Sequence, residues 1–260
     1  MKLPTSKRIQ EIVDLLQKEG YVKAKDLSKK YNVSMETIRK DLMFLEEKGV
    51  AQKEYGGASL SQLGVEKSLE FRKYHEDDKK EIAKYAAELL REHHSMILDG
   101  GTTTQACVQY INLLPSMDIV TNSLNACRQL NADLHNVFLL PGKKRQKNDA
   151  LVGNWTEKYL RSVQVDICLL GTSGILGSEG PTAHSYQELS TKQAMIEQSD
   201  LVFVLADSSK FQEKGMHTFA SWDEIDGIIT DHNLSPKLYS QLSKKVQVYV
   251  AREESDEKNL

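Results

Sequence analysis

Val33-Ser34-Met35-Glu36-Thr37-Ile38-Arg39-Lys40-Asp41-Leu42 is the stretch whose reading decides the fold of the first sixty residues. Ile38, Leu42 and Leu45 recur at helical spacing, so one face of a helix turns inward. Ser34 is a good N-cap for that helix. Thr37 stands three residues on, where a capping box would need Glu or Gln, so the full box is absent. The opposite face carries Met35, Glu36, Arg39 and Lys40. Gly49 ends the element.

Working outward, Asn32-Val33 makes a tight turn back to a second helix from about Ala24 to Tyr31, with Leu27 and Tyr31 inside. Before it, Tyr21-Val22-Lys23 reads as a short extended link. Earlier still, Ile9, Ile12, Val13, Leu15 and Leu16 form one stripe of a first helix that starts near Pro4 or Thr5 and stops at Gly20. After Gly49, two β-prone runs flank Gly56-Gly57, which predicts a hairpin or wing. Three short helices with a tight turn before the third leave its outer face free to enter a major groove. Ser34, Met35, Glu36, Thr37, Arg39 and Lys40 can then meet bases and phosphates, with Lys53, Tyr55, Gly56 and Gly57 along the backbone or an adjacent minor groove. The same pattern also suits a winged helix that binds protein, or a plain three-helix domain.

From about Asp78 the rhythm changes. A helix marked by Ile82, Ala83, Ala86, Leu89 and Leu90 leads into the strand-like run 95–99. Further apolar runs lie at 118–121, 137–140, 166–171, 201–206, 225–230 and 246–250, with helical segments between most of them. Continuous apolar strands alternating with helices imply a mostly parallel sheet buried on both faces. The expected architecture is α/β: a winged helix-turn-helix at 1–60, a linker at 61–75, and a Rossmann-like domain at 76–260.

Hydrophobic residues make up 40% and charged residues 27% of the 260-residue chain, an ordinary balance for a globular protein. No apolar run reaches a membrane span, and the charged start Met1–Arg8 has no apolar stretch behind it, unlike a secretory signal. Residues 1–60 hold 12 Lys and Arg against 9 Asp and Glu, a net of +3, whereas the remainder is net −6. A mildly basic head on an acidic body suits a local nucleic-acid module rather than a coating protein. Cys107, Cys127 and Cys168 are widely spaced among apolar neighbours, as reduced thiols in the cytoplasm would be. His94, His184 and His217 show no ligand spacing, so neither a metal nor a cofactor is expected.

Four strand ends carry small, hydroxyl-rich loops: Asp99-Gly100-Gly101-Thr102-Thr103-Thr104, Thr121-Asn122-Ser123, Gly171-Thr172-Ser173-Gly174, and Asp207-Ser208-Ser209-Lys210. Ligands of open α/β sheets bind beyond the carboxyl ends of the strands. Glycine amides, hydroxyls and a lysine there suit a phosphate. Lys143-Lys144-Arg145 adds positive charge or is a solvated surface. Any one loop is better explained by turn and cap chemistry, and it is the four together, all after strands, that point to a site.

The run Val33–Leu42, then Leu45-Glu46-Glu47-Lys48-Gly49, then Tyr55-Gly56-Gly57-Ala58, resembles the signature of the DeoR family of bacterial regulators. Lys40 replaces a common Arg, which keeps the charge but loses the bidentate fork, and Tyr55 stands where His is frequent. The later loops resemble the family's C-terminal sensor domain and, through it, the ribose-5-phosphate isomerase fold. The resemblance implies a repressor of a sugar operon, such as those for lactose, galactitol or fructose use. It implies a homo-oligomer, dimer or tetramer, that binds double-stranded operator DNA and answers to a phosphorylated sugar. Carried over, Gly101, Thr102, Thr103, Thr104, Asn122, Ser123, Gly171, Thr172, Ser173, Gly174 and Lys210 would hold the phosphate, with Asp99 and Glu188 facing sugar hydroxyls. Pro141-Gly142 departs from the family's Gly-Gly. The alternative is a sugar-phosphate isomerase with an accessory head, in which Asp99 or Glu188 acts as general base.

Overall fold

The computed structural model describes residues 5–60, 75–145, 147–177 and 179–251. The chain divides into two compact units, Met1–Tyr74 and His75–Leu260. The linker expected at 61–75 lies outside the described residues except for His75, as do Pro4 and residues 252–260.

In the first unit α1 spans Thr5–Glu19 and buries Ile9, Ile12, Val13 and Leu16. It ends at Gly20, whose left-handed φ of +74° lets its amide donate to the Leu16 carbonyl at 2.9 Å. Next come β1 (Tyr21–Lys23), α2 (Ala24–Tyr31), α3 (Met35–Glu47), β2 (Ala51–Glu54) and β3 (Gly57–Leu60). The expected link at 21–23 is a strand, antiparallel to β3 with Val22 opposite Ala58, and β3 is the centre of a three-stranded sheet. Close approach at Gly57 permits it, since a Cβ there would sit 2.1 Å from the Val22 carbonyl oxygen. Fourteen buried apolar residues, from Ile9 to Ala58, form one core. Beside it Arg8 and Asp41 make a bidentate pair of 2.6 and 3.0 Å that ties α1 to α3. The hydrogen bond to Asp41 holds the Arg8 pKa above its usual value despite burial.

The second unit opens with α4 (Glu76–Leu89) and continues through β4 (Ser95–Leu98), α5 (Thr102–Ala106), α6 (Val108–Ile111), β5 (Asp118–Thr121), α7 (Leu124–Gln129) and β6 (Asn136–Leu139). A hairpin follows, β7 (Lys143–Lys144) and β8 (Leu151–Val152), then α8 (Asn154–Leu160), β9 (Val165–Gly171), β10 (Thr182–Ala183), α9 (Tyr186–Glu197) and β11 (Ser199–Leu205). The described part closes with β12 (His217–Thr218), β13 (Gly227–Thr230), α10 (Pro236–Leu242) and β14 (Val248–Val250). Seven strands make one sheet in the order β14-β13-β11-β9-β4-β5-β6, parallel throughout.

Both faces of this sheet are buried at its central strands. Ile167 and Leu169 point into a core with Ile82, Ala86, Ile111 and Ala126, while Cys168 and Leu170 point into another with Leu160, Met195 and Leu242. That is why the strands read as unbroken apolar runs. Each fully buried aliphatic side chain contributes about 1.5–3 kcal/mol. Cys107 and Cys168 are buried and Cys127 half-buried, all as free thiols. Burial pushes the Cys107 thiol up to about 12. No described helix is long and apolar enough to cross a membrane.

Candidate functional site

In the first unit the residues expected at DNA divide by role. Ser34 caps α3, its Oγ accepting the Thr37 amide at 3.1 Å and lying 2.8 Å from Thr37 Oγ1. Those two hydroxyls therefore fix the start of the helix. Met35, Glu36, Arg39 and Lys40 share the exposed face opposite Ile38, Asp41, Leu42 and Leu45. Arg39 Nη1 is 3.9 Å from Glu36 Oε2 with both side chains well exposed, a pair too weak to hold the guanidinium. Lys53 is exposed, and its amide donates to Glu46 Oε1 at 2.9 Å, fixing the wing against α3. Tyr55 and Gly56 form the exposed tip, with Gly56 at φ +80°. Gly57 sits apart from them, buried against β1.

In the second unit the order of strands reverses between β4 and β9, and such a switch point opens a crevice at the carboxyl ends. Asp99 follows β4 there. Its Oδ2 accepts the Gly171 amide at 3.1 Å and pairs with Lys192 Nζ. Lys192 also donates to the Gly171 carbonyl at 2.8 Å and lies 5.1 Å from the Phe219 ring centroid. Glu188, one turn before Lys192 on α9, accepts from Arg145 at 2.6 Å and Asn148 at 3.1 Å. Both carboxylates assigned to sugar hydroxyls by resemblance are thus paired with cations of this chain.

The hydroxyl-rich loops converge on the same end of the sheet. Gly101 precedes α5; Thr102 is half-exposed and Thr103 buried, while Thr104 Oγ1 donates to the Asp99 carbonyl at 2.7 Å. Ser123 Oγ accepts the Ala126 amide as a cap for α7. Asn122 Nδ2 donates to the Leu151 carbonyl at 3.2 Å, but its buried Oδ1 has no partner among the described residues. Thr172 Oγ1 accepts the Gly174 and Thr182 amides at 3.2 Å, closing the loop after β9 onto β10, while Ser173 is half-exposed. Lys210 donates to Glu213 at 2.7 Å. Burial would raise the Asp207 carboxyl, but Lys210 and Lys79 outweigh it and hold the pKa below its usual value.

Sequence reasoning missed four groups here. Lys79 on α4 is buried, and burial lowers its pKa to about 8 with Asp207 opposing. Lys192, Asn148 and the specific pairing of Arg145 were also not foreseen. The spacing of Glu188 and Lys192, one helical turn apart among buried positions, was a usable signal. The β7–β8 hairpin that carries Arg145 and Asn148 packs across the strand ends: Asn148 Nδ2 donates to the Gly100 carbonyl at 3.3 Å, and the Leu151 amide to the Asn122 carbonyl at 2.8 Å.

Comparison with known families matches residues 8–62 to the DeoR-like helix-turn-helix domain and residues 74–232 to the DeoR C-terminal sensor domain. The chain belongs to the DeoR family. It is 31% identical to the glycerol-3-phosphate regulon repressor of Escherichia coli K12, over 85% of this chain and 88% of that protein. It is 31% identical to the lactose phosphotransferase system repressor of Staphylococcus epidermidis, over 94% and 96%. The transcriptional regulator IolR of Bacillus subtilis is 28% identical over 93% and 96%. Among solved structures, ribose 5-phosphate isomerase A of Methanocaldococcus jannaschii covers 52% of this chain and 54% of its own at 16% identity, with a TM-score of 0.38. As a DeoR-family member with a helix-turn-helix head, the chain is a transcriptional regulator and not an enzyme, so the isomerase reading is not favoured.

Proposed function

We propose that this DeoR-family chain represses a sugar-utilisation operon in the cytoplasm, and that a phosphorylated sugar bound in its sensor domain controls it. Residues 1–60 bind double-stranded operator DNA, 61–75 connect, and 76–260 sense the effector and oligomerise. Ser34, Met35, Glu36, Thr37, Arg39 and Lys40 face the major groove, with Lys53, Tyr55 and Gly56 on the backbone and Gly57 shaping the wing. Two copies set two recognition helices on half-sites, in a dimer or tetramer.

The observation that supports the effector half is the reversal of strand order between β4 and β9, with the loops of Gly101–Thr104, Asn122-Ser123, Gly171–Gly174 and Lys210, like Asp99, following the carboxyl ends of parallel strands. Glycine amides and cations there suit a phosphate, and the carboxylates suit sugar hydroxyls. Binding shifts the population of DNA-competent arrangements.

Anisotropy titration of DNA from upstream of the neighbouring operon, with and without a panel of phosphosugars, tests both halves. The effector should change DNA affinity and raise the melting temperature of the free protein. Specific DNA binding that no phosphosugar alters sinks the effector half; absence of specific binding sinks the whole. Steady phosphosugar isomerisation abolished by Asp99→Asn would restore the enzyme reading.

A further inference from the structure

β6 (Asn136–Leu139) ends the seven-stranded sheet and, among the described residues, has a strand neighbour on one side only. The Asn136 amide donates to Met117 O at 3.1 Å and the Leu140 amide to Thr121 O at 2.8 Å. In a parallel ladder the alternate residues, Val137 and Leu139, then direct N–H and C=O away from the sheet. Its side chains are also exposed among the described residues: Phe138 is 54% exposed, Leu139 40%, and nearby Leu134 36%. Edge strands are normally blunted by lysine, proline or a cover. Val137-Phe138-Leu139-Leu140 contains no charge and no proline.

We propose that β6 is the docking edge for a second copy of this chain, through antiparallel pairing across a two-fold axis at Phe138. The proposal rests on the homo-oligomer reading above and names its surface. Val137 would donate to and accept from the partner's Leu139, and Leu139 likewise from the partner's Val137, so the outward row closes on itself. Phe138 meets the partner's Phe138 at a non-hydrogen-bonded position, with Cα atoms about 4.5 Å apart. Under a two-fold axis the outward row at Val137 and Leu139 is its own complement, so a second copy satisfies all of it at once, where a foreign peptide would need a matching register.

The test uses the full-length chain in light scattering after gel filtration, and oxidative cross-linking on non-reducing gels. The wild type should have a mass that is a multiple of 29.4 kDa. Phe138→Lys should halve that mass with unchanged circular dichroism. Phe138→Cys should cross-link as a disulfide dimer because its Cα spacing fits, whereas Asn136→Cys and the wild type should not. If Phe138→Lys fails to fold, the Phe138→Cys result decides. A monomeric wild type overturns both readings. An oligomer that survives Phe138→Lys and is not cross-linked by Phe138→Cys overturns the β6 edge while leaving the homo-oligomer standing.

Discussion

Replacing Asp41 with Ala should cost the head most of its stability. The carboxylate holds Arg8 in two hydrogen bonds of 2.6 and 3.0 Å, with side chains 6% and 7% exposed. Removing one partner leaves a buried guanidinium without this counter-charge, which costs about 3–5 kcal/mol. Small domains have roughly 5–15 kcal/mol in all, and one this size lies near the lower limit. Hydrogen exchange read by mass spectrometry reports the head separately from the sensor. At tenfold per ~1.4 kcal/mol, amides in α1 and α3 should exchange about 100- to 4,000-fold faster, with those of β9 unchanged. DNA binding should fall with them. The double variant Arg8→Met/Asp41→Leu should recover most of the protection, because it removes the charge as well as its partner. If Asp41→Ala accelerates exchange less than tenfold, the pair is not what fastens α1 to α3.

Three further outcomes are expected. Arg39→Ala and Lys40→Ala should weaken DNA binding and lower its salt slope by about one each, with exchange in α3 unaltered. Gly57→Ala puts a methyl 2.1 Å from the Val22 carbonyl oxygen and should unpair β1 from β3, seen as lost protection at 21–23. Gly56→Ala, at an open tip with φ +80°, should cost only about 1–2 kcal/mol. Lys79 has a folded pKa of about 8 against an ordinary 10.5. The unfolded chain therefore binds the extra proton across that window, and stability should rise between pH 8 and 10.5 by on the order of 3 kcal/mol. Urea melts at the two ends of the window check it; Lys79→Met should flatten the rise.

The sequence pattern of α3 was legible because Ile38, Leu42 and Leu45 repeat within one helix and Ser34 caps it locally. The sheet was legible because Ile167-Cys168-Leu169-Leu170 is buried on both faces, which leaves no polar interruption. β1 was not, since three residues carry no period of their own and their pairing depends on Gly57, more than thirty residues on. The crevice divides the same way. Its glycine and threonine loops lie directly after strands and could be read in place. Lys192 with Asp99 and Arg145 with Glu188 join residues 93 and 43 apart, and only the strand order brings them together.

Those long-range pairs bear on how the crevice could act as a switch. Moving a two-state equilibrium from 1:99 to 99:1 requires about 5.5 kcal/mol of preferential binding. Hydrogen bonds to charged groups contribute roughly 1.5–3 kcal/mol each, so about two to four made in one arrangement alone are enough. Lys192, Arg145 and Lys210 each already have a carboxylate, respectively Asp99, Glu188 and Glu213. A phosphate that draws any of them away leaves that carboxylate to accept from a sugar hydroxyl. On the proposed effector reading, such an exchange would act on the loop after β4, α9, the β7–β8 hairpin and the segment after β11, which together carry the three pairs. On the same reading, breaking Lys192–Asp99 and Arg145–Glu188 together would free the loop after β4 and the β7–β8 hairpin from α9, the change in coupling that a switch requires.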